Sequence, residues 1–346
     1  MREDLLCRAE QLHELTLPEL TALLADADPA AEAALAAAAD RVRAAFVGAG
    51  VHLRGLIEFS NICRQSCMYC GLRRDNAAVH RYRLTPAEIL ALAEKARDYG
   101  YRTVVLQSGE DAWFTADRLA ALLRRIKALG LVITLSIGER SREEYQMLRA
   151  AGADRFLLRI ETTDAQLYAR LHPGMSLAHR LQCLQELRSL GYEVGTGCLV
   201  GLPGQSIESL ARDILFFQEL DADMVGIGPL IPNEDTPLAD AAPGDFHLTR
   251  RVVALLRLLL PEANIPATTA METLQPDARR IILQSGANVV MPNVTEGDYR
   301  RWYALYPGKI CVKDTPEDCR GCLEAKIQSI GRSIAQDAGF RHRRER

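Results

Sequence analysis

Short apolar segments of strand length alternate with amphipathic helices from residue 52 towards the C-terminus. The candidate strands cover residues 53–59, 103–107, 132–136, 155–161, 193–199, 224–227, 265–269 and 288–291. Capping boxes open two of the intervening helices, at Thr85-Pro86-Ala87-Glu88 and Ser141-Arg142-Glu143-Glu144. Strands that each precede a helix in this way predict an α/β fold, a complete (β/α)8 TIM-type barrel. A doubly wound open sheet is the structural alternative, but no G-x-G-x-x-G turn follows the first strand.

The residues before the first strand have a different pattern, which predicts helices. A capping box at Thr16-Leu17-Pro18-Glu19 and an alanine-rich run over residues 30–39 indicate two of them. We therefore predict an N-terminal helical extension over residues 1–48. A single barrel domain follows over residues 49–346, and it includes a C-terminal helical segment that contains cysteines. The basic end of the chain, residues 341–346, is expected to be a solvated tail.

Composition excludes several classes of function. The 346 residues are 48% hydrophobic and 25% charged, as in soluble globular proteins, and a formal net charge of −3 gives no support for nucleic-acid binding. The sequence has neither an uncharged apolar run of membrane-spanning length nor a signal-peptide core, so we expect a cytoplasmic protein without membrane association. In that reducing compartment the nine cysteines are not expected to form a disulfide framework.

Three of these cysteines, Cys63, Cys67 and Cys70, follow the first predicted strand with C-x3-C-x2-C spacing. Thiolates bind soft metal ions and iron–sulfur clusters, and three thiolates leave one metal position open to another ligand. The alternatives are a zinc site completed by a distant ligand such as His80, or three unrelated thiols. The spacing, with an aromatic residue before the last cysteine, resembles the signature of the radical SAM enzymes, in which three cysteines hold a 4Fe–4S cluster that binds S-adenosylmethionine (SAM).

The ends of the predicted strands bring polar and glycine-rich segments to the same mouth of the barrel. Ser108, Gly109 and Glu110 offer backbone and carboxylate groups suited to the ammonium group of SAM, Glu161 suits ribose hydroxyls, and Arg180 suits a carboxylate. A solvated surface role is the alternative for each charged residue.

A second cysteine group has the spacing Cys311-x7-Cys319-x2-Cys322 and is flanked by Lys309, Lys313 and Arg320. Closely spaced thiols indicate an iron–sulfur or zinc site, and the cationic neighbours favour thiolates. Free thiols in an exposed loop around Asp314 are the alternative.

Blocks along most of the chain resemble the HydE family of FeFe-hydrogenase maturases, in the biotin-synthase-like branch of the radical SAM enzymes. These blocks are residues 57–61, 70–76, 81–82, 106–111, 151–155, 200–205, 223–229, 264–271, 287–293 and 305–311. The resemblance implies reductive cleavage of SAM to a 5′-deoxyadenosyl radical, in the assembly of the dithiomethylamine-bridged diiron subcluster. It also implies that the second cysteine group holds an accessory 2Fe–2S or 4Fe–4S cluster that is not catalytic.

The resemblance extends to site residues and partners. The predicted catalytic ligands of the 4Fe–4S cluster are Cys63, Cys67 and Cys70. The predicted SAM-binding residues are Tyr69, Gln107, Ser108, Gly109, Glu110, Ser136, Glu161, Arg180 and Met224. An anionic substrate is expected to contact Arg54, Thr134, Arg155, Arg159, Thr268, Thr269, Met291, Tyr303 and Tyr306, although an arginine–carboxylate pair is the alternative for Arg155 and for Arg159. The expected partners are a companion maturase that delivers an organometallic or small-molecule substrate, and an electron donor such as ferredoxin or flavodoxin.

Two other functions stay open from sequence. One is a small-molecule radical SAM enzyme of the methylornithine synthase or biotin synthase type. Biotin synthase is disfavoured because Thr134 and Thr268 stand where thiols for its second cluster are expected. The other is an iron–sulfur scaffold without radical chemistry.

Overall fold

The computed structural model describes residues 2–311 and 315–342. Most of its strands are short, and several helices flank them. In these ranges the helices are α1 Arg2–Leu12, α2 Leu17–Ala25, α3 Pro29–Phe46, α4 Pro86–Asp98, α5 Ala116–Lys127, α6 Arg142–Ala150, α7 Ala165–Leu171, α8 Leu177–Ser189, α9 Ile207–Glu219, α10 Phe246–Leu259, α11 Thr269–Leu274, α12 Ala278–Leu283, α13 Asp298–Trp302 and α14 Pro316–Ser329. The three predicted capping boxes are confirmed, at the starts of α2, α4 and α6.

The strands form a curved parallel sheet covered by helices. They are β1 Gly50–Ser60, β2 Thr103–Ser108, β3 Val132–Ser136, β4 Arg155–Leu157, β5 Glu193–Thr196, β6 Leu199–Val200, β7 Met224–Val225, β8 Gly228–Pro229, β9 Val289–Val290 and β10 Ser333–Ile334. The sheet runs β10-β1-β2-β3-β4-β5-β7, β9 also pairs with β1, and β6 pairs separately with β8. Its apolar residues are buried on both faces, which explains why β1 to β3 appear in the sequence as nearly continuous apolar runs.

The predicted seventh strand, residues 265–269, is wrong as a strand. Asn264 and Pro266 make only single parallel bridges, to Met224 and Val289 respectively, and α11 already begins at Thr269. Proline has no N–H to donate to a ladder, so a continuous strand is not formed at this point. The described strands therefore form a curled parallel half-barrel. They do not form the complete closed barrel that the sequence predicts.

The N-terminal helices pack on the outside of the helical layer. α2 lies against α9, and α3 lies against α10. Leu20, Leu24 and Leu35 are buried there and belong to the same hydrophobic core as the barrel strands. In the described ranges, no helix combines the length and the apolar character that a membrane span requires.

The C-terminal segment covers the ends where the strands begin. β10 pairs with Gly50 and Val51 of β1. Beyond it, the carbonyl of Gly339 accepts hydrogen bonds from the side chains of Arg54 and Asn264. Arg341 is not solvated as expected, since its side chain is 2% exposed and pairs with Asp221 at 2.7 Å. Residues 343–346 of the predicted tail lie outside the described residues.

Candidate active site

The loop that carries the first cysteine group leaves the C-terminal end of β1 and is held by hydrogen bonds that are buried or partly buried. Asn61 donates to the carbonyls of His80 and Trp302 and accepts from the Tyr82 amide. Arg81 donates to the carbonyls of Asn61, Leu72, Arg73 and Asn76. The loop conformation is therefore fixed from both flanks. Sequence reasoning assigned no role to Arg81, although the residue belongs to a block that carries the family resemblance.

Two glycines allow neighbouring backbone to approach this loop closely. A Cβ at Gly109 would lie 2.4 Å from the Ile62 carbonyl and 2.8 Å from the Cys63 Cβ. A Cβ at Gly71 would lie 2.1 Å from the Ala304 carbonyl. These positions need glycine for lack of space.

The three thiols occupy two kinds of surroundings. The Cys63 sulfur accepts hydrogen bonds from the amides of Gln65 and Glu110, both at 3.4 Å. Cys67 and Cys70 line the internal cavity, and burial raises the pKa of both thiols, that of Cys70 to about 12. A bound metal centre would offset this penalty, because its charge favours thiolate ligands.

The cavity has a volume of about 370 Å³, within the range of small-ligand sites. The structure brings many of the predicted residues together in its lining: Arg54, Cys67, Tyr69, Cys70, Gln107, Thr134, Ser136, Arg159, Glu161, Met224, Thr268, Thr269, Met291 and Tyr306. Predicted residues outside this lining are Cys63, Ser108, Gly109, Glu110, Arg155, Arg180 and Tyr303.

Tyr69 is fixed by a histidine that sequence reasoning missed. Its hydroxyl lies 3.0 Å from Nε2 of His172, whose Nδ1 lies 3.0 Å from the Tyr168 carbonyl. Burial lowers the pKa of His172 to about 4. The ring is therefore neutral at pH 7, with Nδ1–H donating to the carbonyl and Nε2 accepting from Tyr69. His172 shows no distinctive sequence signal, because it follows α7 without a recognisable motif.

Glu161 faces the cavity from a strained backbone. Its φ angle is 64°, in the left-handed region that residues other than glycine rarely adopt. Its carboxylate accepts a 2.9 Å hydrogen bond from Arg159, and burial raises its pKa against the opposing effects of Arg159 and Arg180. Strain of this kind is common at functional sites, since it aims a side chain that a relaxed turn would direct elsewhere.

Glu110 and Arg180 stand behind the cavity wall. The Glu110 carboxylate accepts hydrogen bonds from Arg64, Gln65 and the Glu139 amide. Arg180 is paired with Glu139 at 2.8 Å and donates to the Arg159 carbonyl. These residues therefore connect the cysteine loop to the ends of β3 and β4.

The cavity floor contains an arginine, Arg54, which sequence reasoning had placed there. Its guanidinium donates to the Met224 sulfur and to the Gly339 carbonyl, while Nε has no hydrogen-bond partner. Burial lowers its pKa, and neighbouring Arg155 adds to the effect.

Arg155 lies in the layer around the C-terminal segment rather than in the cavity wall. It pairs with Glu193 at 2.5 Å, donates to the Ala338 carbonyl and has the Phe340 ring 4.3 Å away. For Arg155 the structure therefore agrees with the alternative interpretation from the sequence, an arginine–carboxylate pair.

On another side of the cavity, Lys309 pairs with the buried carboxylate of Glu58. Asn293 donates to the other oxygen of Glu58 at 2.7 Å, and the ammonium group lies 5.4 Å from the Tyr303 ring centre. Tyr303 itself is buried beside this pair. Glu58 was missed as a site residue, although a lone acid inside the apolar run Leu56-Ile57-Glu58-Phe59 is a usable signal.

In the second cysteine group, Cys319 of α14 is buried and Cys322 is exposed. A hydrogen bond from the Cys311 thiol lowers the pKa of Cys319, assisted by Arg279 and Arg300. The structure therefore brings Cys311 and Cys319 together. Lys313 and Asp314, which sequence reasoning placed beside them, lie outside the described residues.

Comparisons with known proteins identify the family of the chain. Residues 57–217 match the model of the radical SAM superfamily. The chain is 50% identical over 330 residues to the [FeFe] hydrogenase maturase subunit HydE of Thermotoga maritima, an alignment that covers 95% of each protein. It is 32% identical over 331 residues to 3-methylornithine synthase of Methanosarcina barkeri, with 95% of this chain and 93% of the relative covered. The crystal structure of a methylornithine synthase superposes with a TM-score of 0.85 at 27% identity, covering 96% of this chain and 97% of the other. The chain belongs to the radical SAM superfamily, in the family of the FeFe-hydrogenase maturase subunit HydE.

Proposed function

We propose that this chain cleaves SAM reductively with a 4Fe–4S cluster held by Cys63, Cys67 and Cys70, and that it serves assembly of the FeFe-hydrogenase diiron subcluster. The observation that carries the proposal is geometric. Cys67 and Cys70 line the same cavity as Tyr69 and Glu161. A cluster on these thiols would therefore face a chamber with polar groups suited to a nucleoside and an amino acid.

The donor set fits such a cluster. Three thiols on one fixed loop leave one metal position for an outside ligand, and amide N–H groups from Gln65 and Glu110 point at the Cys63 sulfur. When bound, the reduced cluster would supply one electron to SAM, which then yields methionine and a 5′-deoxyadenosyl radical. The chain's own part is to bind, to orient and to exclude water.

Polar residues near the thiols would position SAM. Glu161, aimed by its left-handed backbone, accepts hydrogen bonds from ribose hydroxyls. Tyr69, oriented by His172, packs beside the adenine. Gln107, Ser136 and Met224 complete this wall. Ser108, Gly109, Glu110 and Arg180 support it from behind, where they hold the cysteine loop and the end of β4.

The far end of the cavity would bind an anionic substrate. On the cavity floor, the Nε of Arg54 has no hydrogen-bond partner. A buried guanidinium group is costly unless an anion neutralises its charge and accepts its hydrogen bonds. Hydroxyl groups of Thr134, Thr268, Thr269 and Tyr306 lie along the same walls, with Arg159 and Met291. This arrangement suits an organometallic iron complex that a companion maturase delivers, while Arg155 and Tyr303 support the lining from outside it.

The proposal extends to architecture and cellular setting. We assign residues 1–48 to a helical extension and residues 49–346 to a barrel domain. In this barrel the bridges at Asn264 and Pro266 would close the gap that a seventh strand would otherwise fill. All nine cysteines are free thiols, which suits the cytoplasm. A ferredoxin or flavodoxin would supply the electron. Cys311, Cys319 and Cys322 would hold an accessory 2Fe–2S or 4Fe–4S cluster.

Anaerobic reconstitution with iron and sulfide, followed by reduction in the presence of SAM, tests the chemistry. We expect 5′-deoxyadenosine and methionine from the wild-type protein. Absence of 5′-deoxyadenosine from protein with an intact cluster at the three cysteines would overturn the proposal. An in vitro hydrogenase maturation assay tests the pathway. In that assay Arg54→Gln should keep SAM cleavage and lose maturation, while Arg41→Gln, on the outer surface of α3, serves as its control.

The 32% identity to 3-methylornithine synthase supports a second candidate, a small-molecule radical SAM enzyme. The 50% identity to HydE favours the maturase. Formation of 3-methylornithine in an extract supplied with SAM and reductant, without any gain in hydrogenase maturation, would reverse this preference.

A further inference from the structure

The cysteine loop has two faces with different chemistry. Its inner face contributes Cys67, Tyr69 and Cys70 to the internal cavity. Its outer face forms a surface depression whose lining includes Arg64, Gln65, Ser66, Arg73, Arg74 and Asp75. The cavity and the depression share no lining residue. The loop is thus the wall between the cavity and this part of the outside.

The depression lies next to the thiols along the chain. Arg64 follows Cys63 directly, and Ser66 precedes Cys67. Consecutive Cα atoms are about 3.8 Å apart, so this surface begins within one residue of two predicted cluster ligands. The Arg74 amide donates a 2.7 Å hydrogen bond to the Gln65 carbonyl, which joins the two halves of the loop on this face.

The outer face is basic. The side chains of Arg64 and Arg74 are 60% and 65% exposed. Three guanidinium groups, those of Arg64, Arg73 and Arg74, are opposed by Asp75 and by Glu110, which is buried behind Arg64. The next carboxylates that act on Arg64 are those of Glu139 and Glu144, which are themselves paired with Arg180 and Arg140. We call Arg64, Arg73 and Arg74 the outer arginine face. On a chain of net charge −3 it is a local cationic surface.

We propose that the outer arginine face is the docking surface for a small acidic electron-transfer protein that reduces the cluster. The inference rests on the proposed function, which needs one electron from outside for each SAM cleaved. Since SAM would occupy the inner side of the loop, the electron enters from the outer side. Complementary charge steers such encounters and raises their association rate by about 10- to 1,000-fold at low ionic strength.

With a flavodoxin as donor the step balances simply. The anionic flavin hydroquinone loses one electron and becomes the neutral semiquinone. A cluster held by Cys63, Cys67 and Cys70 would accept that electron and become reduced. No bond forms or breaks, and no proton moves.

The test compares two double variants. Arg64→Glu with Arg74→Glu reverses the face. Arg41→Glu with Arg212→Glu is the matched control, because Arg41 and Arg212 are 62% and 59% exposed and each is likewise paired with a carboxylate. Stopped-flow absorbance follows cluster reduction by flavodoxin hydroquinone at several salt concentrations. Photoreduced 5-deazaflavin, which needs no docking surface, is the second reductant.

We expect the face variant to be reduced by flavodoxin at least about 10-fold more slowly than wild type at low salt, with a weaker salt dependence. Its rate with 5-deazaflavin should stay within about twofold of wild type. The control should behave as wild type with both reductants. Arg74→Glu alone should slow reduction by flavodoxin to a smaller extent, and Arg74→Lys should not slow it. These two variants keep Arg64 and its pair with Glu110, so they test the surface even if Arg64→Glu disturbs Glu110.

An unchanged flavodoxin rate and salt slope in the face variant would overturn the docking surface. Equal slowing with both reductants would also overturn it, since the defect would then lie in the cluster. If wild type forms no 5′-deoxyadenosine with 5-deazaflavin, the proposed function fails and this inference fails with it. The 5-deazaflavin arm therefore tells the two failures apart.

Discussion

The two cysteine groups differ in how firmly the fold holds them. Cys63, Cys67 and Cys70 lie on a loop whose carbonyls are bonded to Arg81 and Asn61 and whose backbone is in tight contact with neighbouring segments. In the second group, Cys319 is buried but Cys322, one turn along α14, is exposed. Cys67 and Cys70 of the first group line the cavity, while Cys311, Cys319 and Cys322 lie outside its lining. The fold thus restrains most strongly the thiols that face the proposed chemistry.

The largest difference is expected when one ligand is removed from each group. Cys67→Ala should lower SAM cleavage more than about 100-fold, because even changes outside the ligand shell of metal sites cost about 10- to 100-fold. Cys322→Ala, at an exposed position, should leave cleavage within about twofold. Quantification of 5′-deoxyadenosine after reconstitution measures both. Comparable losses in the two variants would remove the distinction between the groups.

Substitution of one glycine near each cysteine group tests how tightly the surroundings of that group are packed. Gly109→Ala would place its Cβ 2.4 Å from the Ile62 carbonyl, and relief of that contact must displace the Cys63 segment. Overpacking of this kind costs about 1–3 kcal/mol, and we expect an approximately 10- to 100-fold loss of SAM cleavage. Gly321→Ala is the matched control beside Cys322, because nothing lies within 4 Å of its Cβ. It should stabilise α14 by up to about 1 kcal/mol. Wild-type cleavage by Gly109→Ala would show that the loop can adjust.

Much of this comparison could be predicted from the sequence, and the reasons for the failures are physical. Helix starts were found because capping boxes such as Thr85 with Glu88 are local signals. The cysteine spacing is visible in the sequence itself, and strand order allowed the cavity lining by Thr134 and Glu161 to be predicted. Arg81 and His172 were missed because their roles depend on carbonyl and hydroxyl partners that only the folded loop supplies.

The fold itself was predicted less completely where strands are short. The prediction of a seventh strand was wrong because Pro266 cannot donate to a ladder of backbone hydrogen bonds, although the apolar pattern of the segment is that of a strand. The prediction of a solvated C-terminal tail failed for Arg341, because a run of basic residues usually indicates a solvent-exposed segment. Arg341 is instead buried against acids from distant loops, Asp221 and Asp223, which no local pattern reveals.

Arg81 offers a test of how much the first loop depends on one side chain. Arg81→Gln removes most of the donors that reach the carbonyls of Asn61, Leu72, Arg73 and Asn76. A buried carbonyl left without a partner costs about 1–3 kcal/mol, so we expect a loss of about 2–4 kcal/mol in the free energy of unfolding. Thermal denaturation measures stability, and iron content after desalting measures retention of the cluster. Arg125→Gln, an exposed residue of α5, is the control. Unchanged iron retention would show that other contacts suffice to hold the loop.

A smaller effect is expected from the histidine behind Tyr69. The folded pKa of His172, about 4, lies below its ordinary value of 6.5. Stability from the neutral ring is therefore complete above pH 6.5 and is lost as the pH falls from 6.5 towards 4, by at most about 1.4 kcal/mol per pH unit. His172→Gln should flatten this part of the stability–pH curve, while His342→Gln, at an exposed position, should not. A curve unaltered by His172→Gln would contradict a buried neutral histidine.

Loss of the whole second group is also expected to have little effect on SAM cleavage. Cys311→Ala, Cys319→Ala and Cys322→Ala together should lower bound iron and leave 5′-deoxyadenosine formation within about threefold of wild type, because separate sites contribute almost independently. One contact limits that independence, since Lys309 stands two residues before Cys311 and pairs with Glu58 in the cavity wall. A disturbance of this pair would reach the substrate end of the cavity and not the cysteine loop. Maturation should then fall while SAM cleavage persists, whereas loss of cleavage in a well-folded triple variant would make the second group part of the catalytic site.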